Sequence, residues 1–293
     1  NSAESVGTIS SVAVLWESFG TSTAPSDGDL INNVTYSNGS INFKATANKG
    51  NAVIAAKDAD GKILWSWHIW LTDQPQAQVY NNNAGTMMDR NLGATSATAG
   101  DVGALGLLYQ WGRKDPFLGS SSISSSKVPK STLSWPSAVE STSSTGTIDY
   151  VTANPTTFVT YNSNNYDWYY TGSSSTDDTR WQSEKTIYDP CPSGWRVPDG
   201  GSSGVWSAAL GSSSSFTDEE LYNSTNKGMN FSGKFGSAST IWYPASGYRS
   251  RNDGGLYNVG YAGNYWSVSP YSYYAYRLFF NNVGSVTPSD YGF

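Results

Sequence analysis

A single histidine, His68, and a single cysteine, Cys191, set the limits on what this 293-residue chain can do chemically. A Ser-His-Asp triad would have to be built on His68, and no Gly-x-Ser-x-Gly elbow accompanies it. His68 lies in the alternating run Leu64 to Leu71, on one strand face with Leu64, Ser66 and Trp70. That is the setting of a packed or hydrogen-bonded ring rather than of an oriented general base. Cys191 stands between Pro190 and Pro192, where no helix N-terminus can lower its pKa, so a Cys-His nucleophile is not expected. One cysteine and one histidine also leave too few nitrogen and sulfur ligands for zinc.

Oxygen ligands are more plentiful, and calcium is the one metal left open. Asp58-x-Asp60-Gly61 resembles a fragment of a calcium loop, but the Asp-Gly pair is better explained as a hairpin turn. Asp177 and Asp178 in a polar loop, and Asn252 and Asp253 ahead of Gly254 and Gly255, could each offer two side-chain oxygens, and Asp177 and Asp178 are the calcium candidates that remain. No other cofactor is implied. No local motif selects a pair of carboxylates for glycoside hydrolysis, and there is neither a Walker loop nor a strand-to-helix dinucleotide turn.

Aromatic, amide and guanidinium chemistry remains. Asn165-Tyr-Asp-Trp-Tyr-Tyr170 brings Trp168 and Tyr169 together beside Asp167, with Asn162 and Asn164 just upstream. Tyr248-Arg-Ser-Arg-Asn-Asp253 offers Arg249 and Arg251 to an acidic group, with Asn252 and Asp253 available to read hydroxyls. Rings that stack on a sugar while amides and carboxylates take its hydroxyls are a common pocket mixture. In a charge-poor, β-rich chain the same aromatics serve more often as core.

The elements that must position these groups read as mostly β. Residues 1–75 look like a strand-rich or sandwich-like N-terminal unit: a strand from Ile9 to Trp16, two short strands about Asn38-Gly39, and a hairpin from Ala52 to Leu71. Residues 76–293 change to short strands and long polar loops, with 119–147 serine-rich and without pattern. Two short helices are expected. One is Val205–Leu210, capped by Ser202 or Ser203. The other begins at the Thr217-Asp218-Glu219-Glu220 capping box, with Phe216 and Leu221 as its hydrophobic staple. Farther on, Tyr274, Tyr276, Leu278 and Phe280 should share one strand face.

Composition narrows the setting. Only 14% of residues are charged, against roughly 25% in ordinary soluble domains. The surface must therefore be built from Ser, Thr, Asn, Gly and Tyr, as in secreted and cell-surface proteins. A net charge of −6 argues against nucleic acid as a partner. No apolar run approaches the roughly 20 residues that span a bilayer, so direct membrane insertion is not expected. Asn1 in place of an initiator methionine suggests that a leader or upstream segment has been removed.

Several ordered blocks carry a resemblance. They are Trp65-Ser-Trp-His-Ile-Trp70, Met88-Asp-Arg-Asn-Leu-Gly-Ala94, Leu108-Tyr-Gln-Trp-Gly-Arg-Lys-Asp-Pro-Phe117, Asp189-Pro-Cys-Pro-Ser-Gly-Trp-Arg-Val-Pro198, Tyr265-Trp-Ser267 and Ala275-Tyr-Arg-Leu278. Over about residues 60–293 the chain resembles the Fibrobacter succinogenes major paralogous domain of fimbrillin-like surface proteins in gut Bacteroidetes. The resemblance implies a C-type-lectin-like module of the α+β, β-rich class, and a lipoprotein or pilus-tip setting at the outer surface. The Glu-Pro-Asn and Trp-Asn-Asp signatures of calcium-dependent sugar binders are absent. It also implies a second cysteine following a Gly-aromatic pair like Gly292-Phe293, which places the partner of a structural Cys191 beyond Phe293.

The expected function is a non-enzymatic extracellular adhesin that holds a glycan or a cell-surface protein. The alternatives are a pilus subunit assembling with other pilus subunits by strand exchange and, more weakly, a carbohydrate-active enzyme.

Overall fold

Two consecutive residues with positive φ, Asn38 at 51° and Gly39 at 77°, close the first hairpin of the chain. That geometry matches the right-handed twist of the strands it joins. In the computed structural model, which describes residues 5–292, β1 (Ser11–Ser18) precedes this hairpin of β2 (Ile31–Ser37) and β3 (Ser40–Ala45). β4 (Gly50–Lys57) and β5 (Ile63–Leu71) follow, and β1, β4 and β5 form an antiparallel sheet with β4 in the centre. The Asp58–Gly61 turn is a hairpin turn: Asp58 Oδ1 accepts the backbone N–H groups of Asp60 at 3.0 Å and Lys62 at 2.9 Å.

β4 is buried along most of its length, and its alanines (Ala52, Ala55 and Ala56) leave room for cover on both faces. On one side Ile31, Ala52 and Ile54 form a small cluster. On the other, Trp16 and Val53 join Leu107 and Leu118, with Leu133 and Trp135 packed against them. This second cluster unites residues on either side of position 75.

The buried carboxylate of Glu17 organises the chain between β1 and β2. It accepts N–H groups from Gly28 at 2.6 Å, Leu30 at 2.9 Å and Ile31 at 2.7 Å. A carboxylate enclosed by three donors is well compensated for its lost water.

After β6 (Ala77–Tyr80), β7 (Gly85–Met88), β8 (Leu107–Leu108) and β9 (Phe117–Leu118), the serine-rich segment is more ordered than its composition suggests. Ser18 donates to the Lys130 carbonyl at 2.7 Å, Lys130 N–H to Thr21 and Thr132 N–H to Glu17, so the segment is laced along β1. It includes β10 (Val139–Glu140), which pairs in parallel with β11 (Val159–Thr160) across the helix α1 (Ile148–Ala153). Thr147 caps α1 by accepting the Tyr150 N–H.

α2 (Val205–Leu210) lies where the sequence places it, but Ser202 and Ser203 do not cap it. Gly204 is its N-cap and the Val205 N–H goes to the Asp199 carbonyl at 3.0 Å. The backbones approach too closely there for any side chain: a Cβ on Gly204 would lie 2.3 Å from Gly200 Cα. The expected helix at 217–220 is not formed. Phe216 and Thr217 are β12 (Phe216–Thr217), paired with Val286 and Ser285, and only one 3₁₀ turn, Glu219–Leu221, follows. A sheet ladder has overridden a local capping signal, and Asp218 pairs instead with Lys234 at 3.0 Å.

The remaining strands are β13 (Tyr222–Asn223), β14 (Gly228–Asn230), β15 (Trp242–Pro244), β16 (Tyr248–Arg249), β17 (Leu256–Tyr257), β18 (Ala262–Tyr271), β19 (Tyr274–Asn281) and β20 (Ser285–Gly292). The C-terminal sheet is antiparallel in the order β12-β20-β19-β18. Leu278 and Phe280 enter the main core with Trp206, Phe231, Phe235 and Val286, while Tyr276 covers Gly200 and Gly201. Each fully buried ring here contributes about 1.5–3 kcal/mol. The protein is thus β-rich, with two short α-helices among the described residues, of the α+β class.

Candidate binding site

The Asp189–Pro198 run is wound around one carboxylate. Asp189 accepts Lys185 Nζ at 2.6 Å, the Cys191 N–H at 2.9 Å and the Val197 N–H at 2.9 Å. Pro198 then accepts the Val268 N–H at 2.9 Å, which docks the run on β18. Burial, then the neighbouring Asp189 charge, pushes the Cys191 thiol well above its ordinary value. Cys191 is a free thiol among the described residues, and the partner expected beyond Phe293 lies outside them.

This run forms one wall of a cavity of about 920 Å³. Other walls come from residues 107–111, the 246–252 loop and the β18–β19 face bearing Asn264, Trp266, Arg277 and Phe279. The size is at the upper end of small-ligand pockets. Tryptophans hold the walls. Trp111 donates its indole N–H to the Ser267 carbonyl, Trp168 to that of Trp111, Trp181 to Tyr188 and Trp266 to Tyr109, all at 2.8–3.0 Å.

The geometry separates the residues singled out in the sequence. Trp168 is only 4% exposed and packs with Val151 and Val159. Its ring and that of Tyr169 meet on the guanidinium of Arg180, at 4.8 and 5.0 Å, and Trp111 stacks on the same group at 5.0 Å. Arg180 is 2% exposed and pairs with Asp167 at 2.6 Å. Trp168 and Tyr169 are therefore brought together on a buried cation, and of the two only Trp168 lines the cavity. Asn162 and Asn165 are buried and close the turn between Tyr161 and Tyr166, Asn162 Nδ2 donating to Asn165 Oδ1 at 2.6 Å.

Arg249 clamps backbone: its Nε and one terminal nitrogen donate to the Leu118 carbonyl at 3.0 and 2.7 Å, the other to Gly254 at 2.6 Å. Burial lowers its pKa to about 10, so it stays charged at neutral pH. Arg251 stacks over Tyr161 at 4.9 Å and Tyr166 at 5.2 Å, at the mouth of the cavity, where Asn252 is exposed. Asp253 is tied to its own loop, accepting the Tyr257 hydroxyl at 2.7 Å and the Gly255 N–H at 2.8 Å. Asp177 accepts the Thr179 N–H and hydroxyl, and Asp178 is exposed on the cavity lining. Among the described residues no group of three His, Cys, Asp or Glu side chains is placed to hold a metal ion.

Sequence reasoning missed the tyrosines of the rim. Tyr166, exposed with φ of 57°, stacks on Tyr161 with centroids 6.0 Å apart and meets Tyr273 edge-on at 6.4 Å. Tyr274 and Tyr291 continue the rim, 5.1 Å apart. Seven exposed tyrosines lie beyond residue 160, whereas no tryptophan among the described residues is exposed. The asparagine cluster ahead of Tyr166 was the available signal, since a tight Asn-closed turn ejects the ring that follows it.

His68 and a serine-lysine cluster stand away from the cavity. His68 Nε2 lies 2.9 Å from Asn51 Oδ1, and burial pushes its pKa down to about 4. Ser66 Oγ, Lys114 Nζ and Asp115 Oδ1 form a tight cluster at 2.5–2.7 Å, the residue types of a serine-lysine nucleophile. Ser66 is 2% exposed, Lys114 is capped by the Trp65 ring at 4.4 Å, and none of the three lines the cavity.

Comparison of the chain with protein-family models, with characterised proteins and with solved structures gives no match.

Proposed function

We propose that this protein is a non-enzymatic binding module of C-type-lectin-like architecture, an adhesin at the outer cell surface that takes a glycan or a surface protein into its central cavity. The observation that carries this reading is the cavity rim of exposed tyrosines set on tryptophan-braced walls. Tyrosine supplies a large amphipathic contact at low conformational cost, which is why adaptable binding surfaces favour it. The wall tryptophans and Arg180 are immobilised by backbone carbonyls and by Asp167, so the rim is presented on a rigid frame. Burial of the histidine and of the Ser66 cluster away from the cavity supports binding over turnover.

The test is retention on a glycan array and on intact cells by the protein and by a Tyr166→Asn, Tyr273→Ser variant. Asparagine tolerates the left-handed backbone at 166, so the variant keeps its fold. A loss of binding of tenfold or more with an unchanged melting temperature supports the reading. Undiminished binding by the variant, or turnover of a chromogenic glycoside by the parent protein, overturns it.

A further inference from the structure

The charges around the cavity balance. Six of the seven arginines in the chain line it, and the seventh, Arg113, stacks on the wall ring of Trp168 at 5.7 Å. Seven carboxylates answer them. Asp167, Asp178 and Asp199 are on the lining. Arg180, Arg196, Arg90 and Arg277 pair with Asp167, Asp199, Asp89 and Asp290 at 2.5–2.8 Å. Arg180 also donates to the Asp177 carbonyl at 2.8 Å, and Asp253 shares its loop with Arg249 and Arg251. Lys114 and Lys185, which do not line the cavity, are paired with Asp115 and Asp189 at 2.7 and 2.6 Å. Fixed charges that cancel focus no field on one sign of ligand. An ionised ligand would lose its water here without an excess of opposite charge to replace it.

The aromatic surface does not stop at the mouth. The β16–β17 hairpin carries Arg251 in its turn, against Tyr161 and Tyr166 at 4.9 and 5.2 Å, and the cross-strand pair Tyr248 and Tyr257 at its base. Tyr248 lines the cavity and Tyr257 does not. Their rings stack with centroids 6.1 Å apart, yet remain 38% and 44% exposed. Tyr257 is held in place: its hydroxyl donates to Asp253 Oδ2 at 2.7 Å, and Asp253 Oδ1 accepts the Gly255 N–H at 2.8 Å. The polar end of the side chain is thus occupied while the ring stays open to solvent. The hairpin base is tied down by the Gly247 N–H, which donates to the Ala262 carbonyl at 2.9 Å. Exposed rings fixed in advance lose little freedom when they are covered.

Resting on the binding-module reading above, we infer that the ligand is an uncharged polysaccharide, whose chain enters the cavity past Tyr166 and Tyr273 and continues outward over Tyr248 and Tyr257. A neutral sugar offers apolar ring faces to aromatic side chains and hydroxyls to amides, and needs no counter-charge. Asn252, Asn258 and Asn264 on the lining supply such amides. The cavity, at about 920 Å³, is at the top of the range for small ligands and larger than one hexose fills. Rings that continue past the lining suit an occupant longer than the cavity, which a single terminal sugar is not.

The experiment is calorimetric titration with the disaccharides and hexasaccharides of β-1,4-glucan, β-1,4-xylan, β-1,4-mannan and α-1,4-glucan, with hexagalacturonic acid as the charged comparison. Tyr257→Ser and Tyr257→Phe variants are titrated in parallel, with melting temperatures confirming their fold. At least one neutral hexasaccharide should bind tenfold or more tighter than its disaccharide and than the acid. Its affinity should change less than twofold as sodium chloride rises from 50 to 500 mM. Tyr257→Ser should weaken it fivefold or more, and Tyr257→Phe, which keeps the ring, less than twofold. Tighter, salt-sensitive binding of the acid overturns the inference. So does a hexasaccharide bound no better than its disaccharide, or one bound equally by the serine variant, or a loss as large with phenylalanine as with serine. Each of these leaves the binding-module reading intact. Failure of all four neutral series also overturns it, and points to a protein partner if cells are still retained through the tyrosine rim. If the rim variant then leaves cell retention unchanged, both readings fall.

Discussion

The guanidinium of Arg180 lies 4.8 Å from the centre of the Trp168 ring and is held there by Asp167 at 2.6 Å. This contact turns the aromatic hexapeptide Asn165–Tyr170 into a structural joint. Trp111, Trp168 and Tyr169 all converge on one buried cation.

Arg180→Ala should therefore destabilise the protein by about 3 kcal/mol, because it strands the Asp167 carboxylate as well as removing the stacked cation. Arg180→Lys should recover only part, since an ammonium cannot stack and donate in the same plane. Urea denaturation of the three proteins checks this. A loss under 1 kcal/mol in the alanine variant would mean that the rings close over the gap.

Glu17 makes a second, independent prediction. Glu17→Gln retains shape but replaces three charge-assisted hydrogen bonds to Gly28, Leu30 and Ile31 with weaker or misdirected ones. A loss of about 2 kcal/mol is expected. Amide exchange at those three positions should quicken more than along β2 beyond Ile31.

The pH dependence of stability follows from His68. Its folded-state pKa of about 4 lies below the ordinary 6.5, so between these values the unfolded chain binds the extra proton. The contribution is complete above pH 6.5 and is lost as pH falls toward 4, by about 2 kcal/mol for this half-buried ring. A His68→Gln variant should show a shallower decline over that window than the parent protein. Parallel curves would remove His68 as the cause.

Cys191 should be slow to alkylate although it borders the cavity. Burial and the Asp189 charge keep the thiol protonated at pH 8, and the thiolate is the reactive form. Iodoacetamide labelling followed by mass spectrometry should be on the order of a hundredfold slower in the folded protein than in urea.

The local elements were largely legible in the sequence. Asn38-Gly39 and Asp58–Gly61 fix their turns through backbone preferences that travel with the residues. The β4–β5 hairpin, α2 and the Leu278–Phe280 core face follow from alternation and spacing alone. The low charge content likewise required that aromatic and neutral polar groups make both core and surface. The sequence also marked Arg249, Arg251 and Trp168 as notable, but could not give each its role.

That division was decided by contacts between residues far apart in the chain. Arg180 lies 69 positions from the Trp111 carbonyl it approaches, and Arg249 lies 131 from that of Leu118. The β12 ladder likewise took the expected staple Phe216 and cap Thr217 of a helix and paired them with Val286 and Ser285. Local propensity is a fraction of a kcal/mol per residue, whereas burial and ladder pairing add up over many contacts, so the tertiary term prevails where the two disagree. Which aromatics became struts and which became rim, and the gathering of six arginines about one cavity, were fixed only when the chain closed on itself.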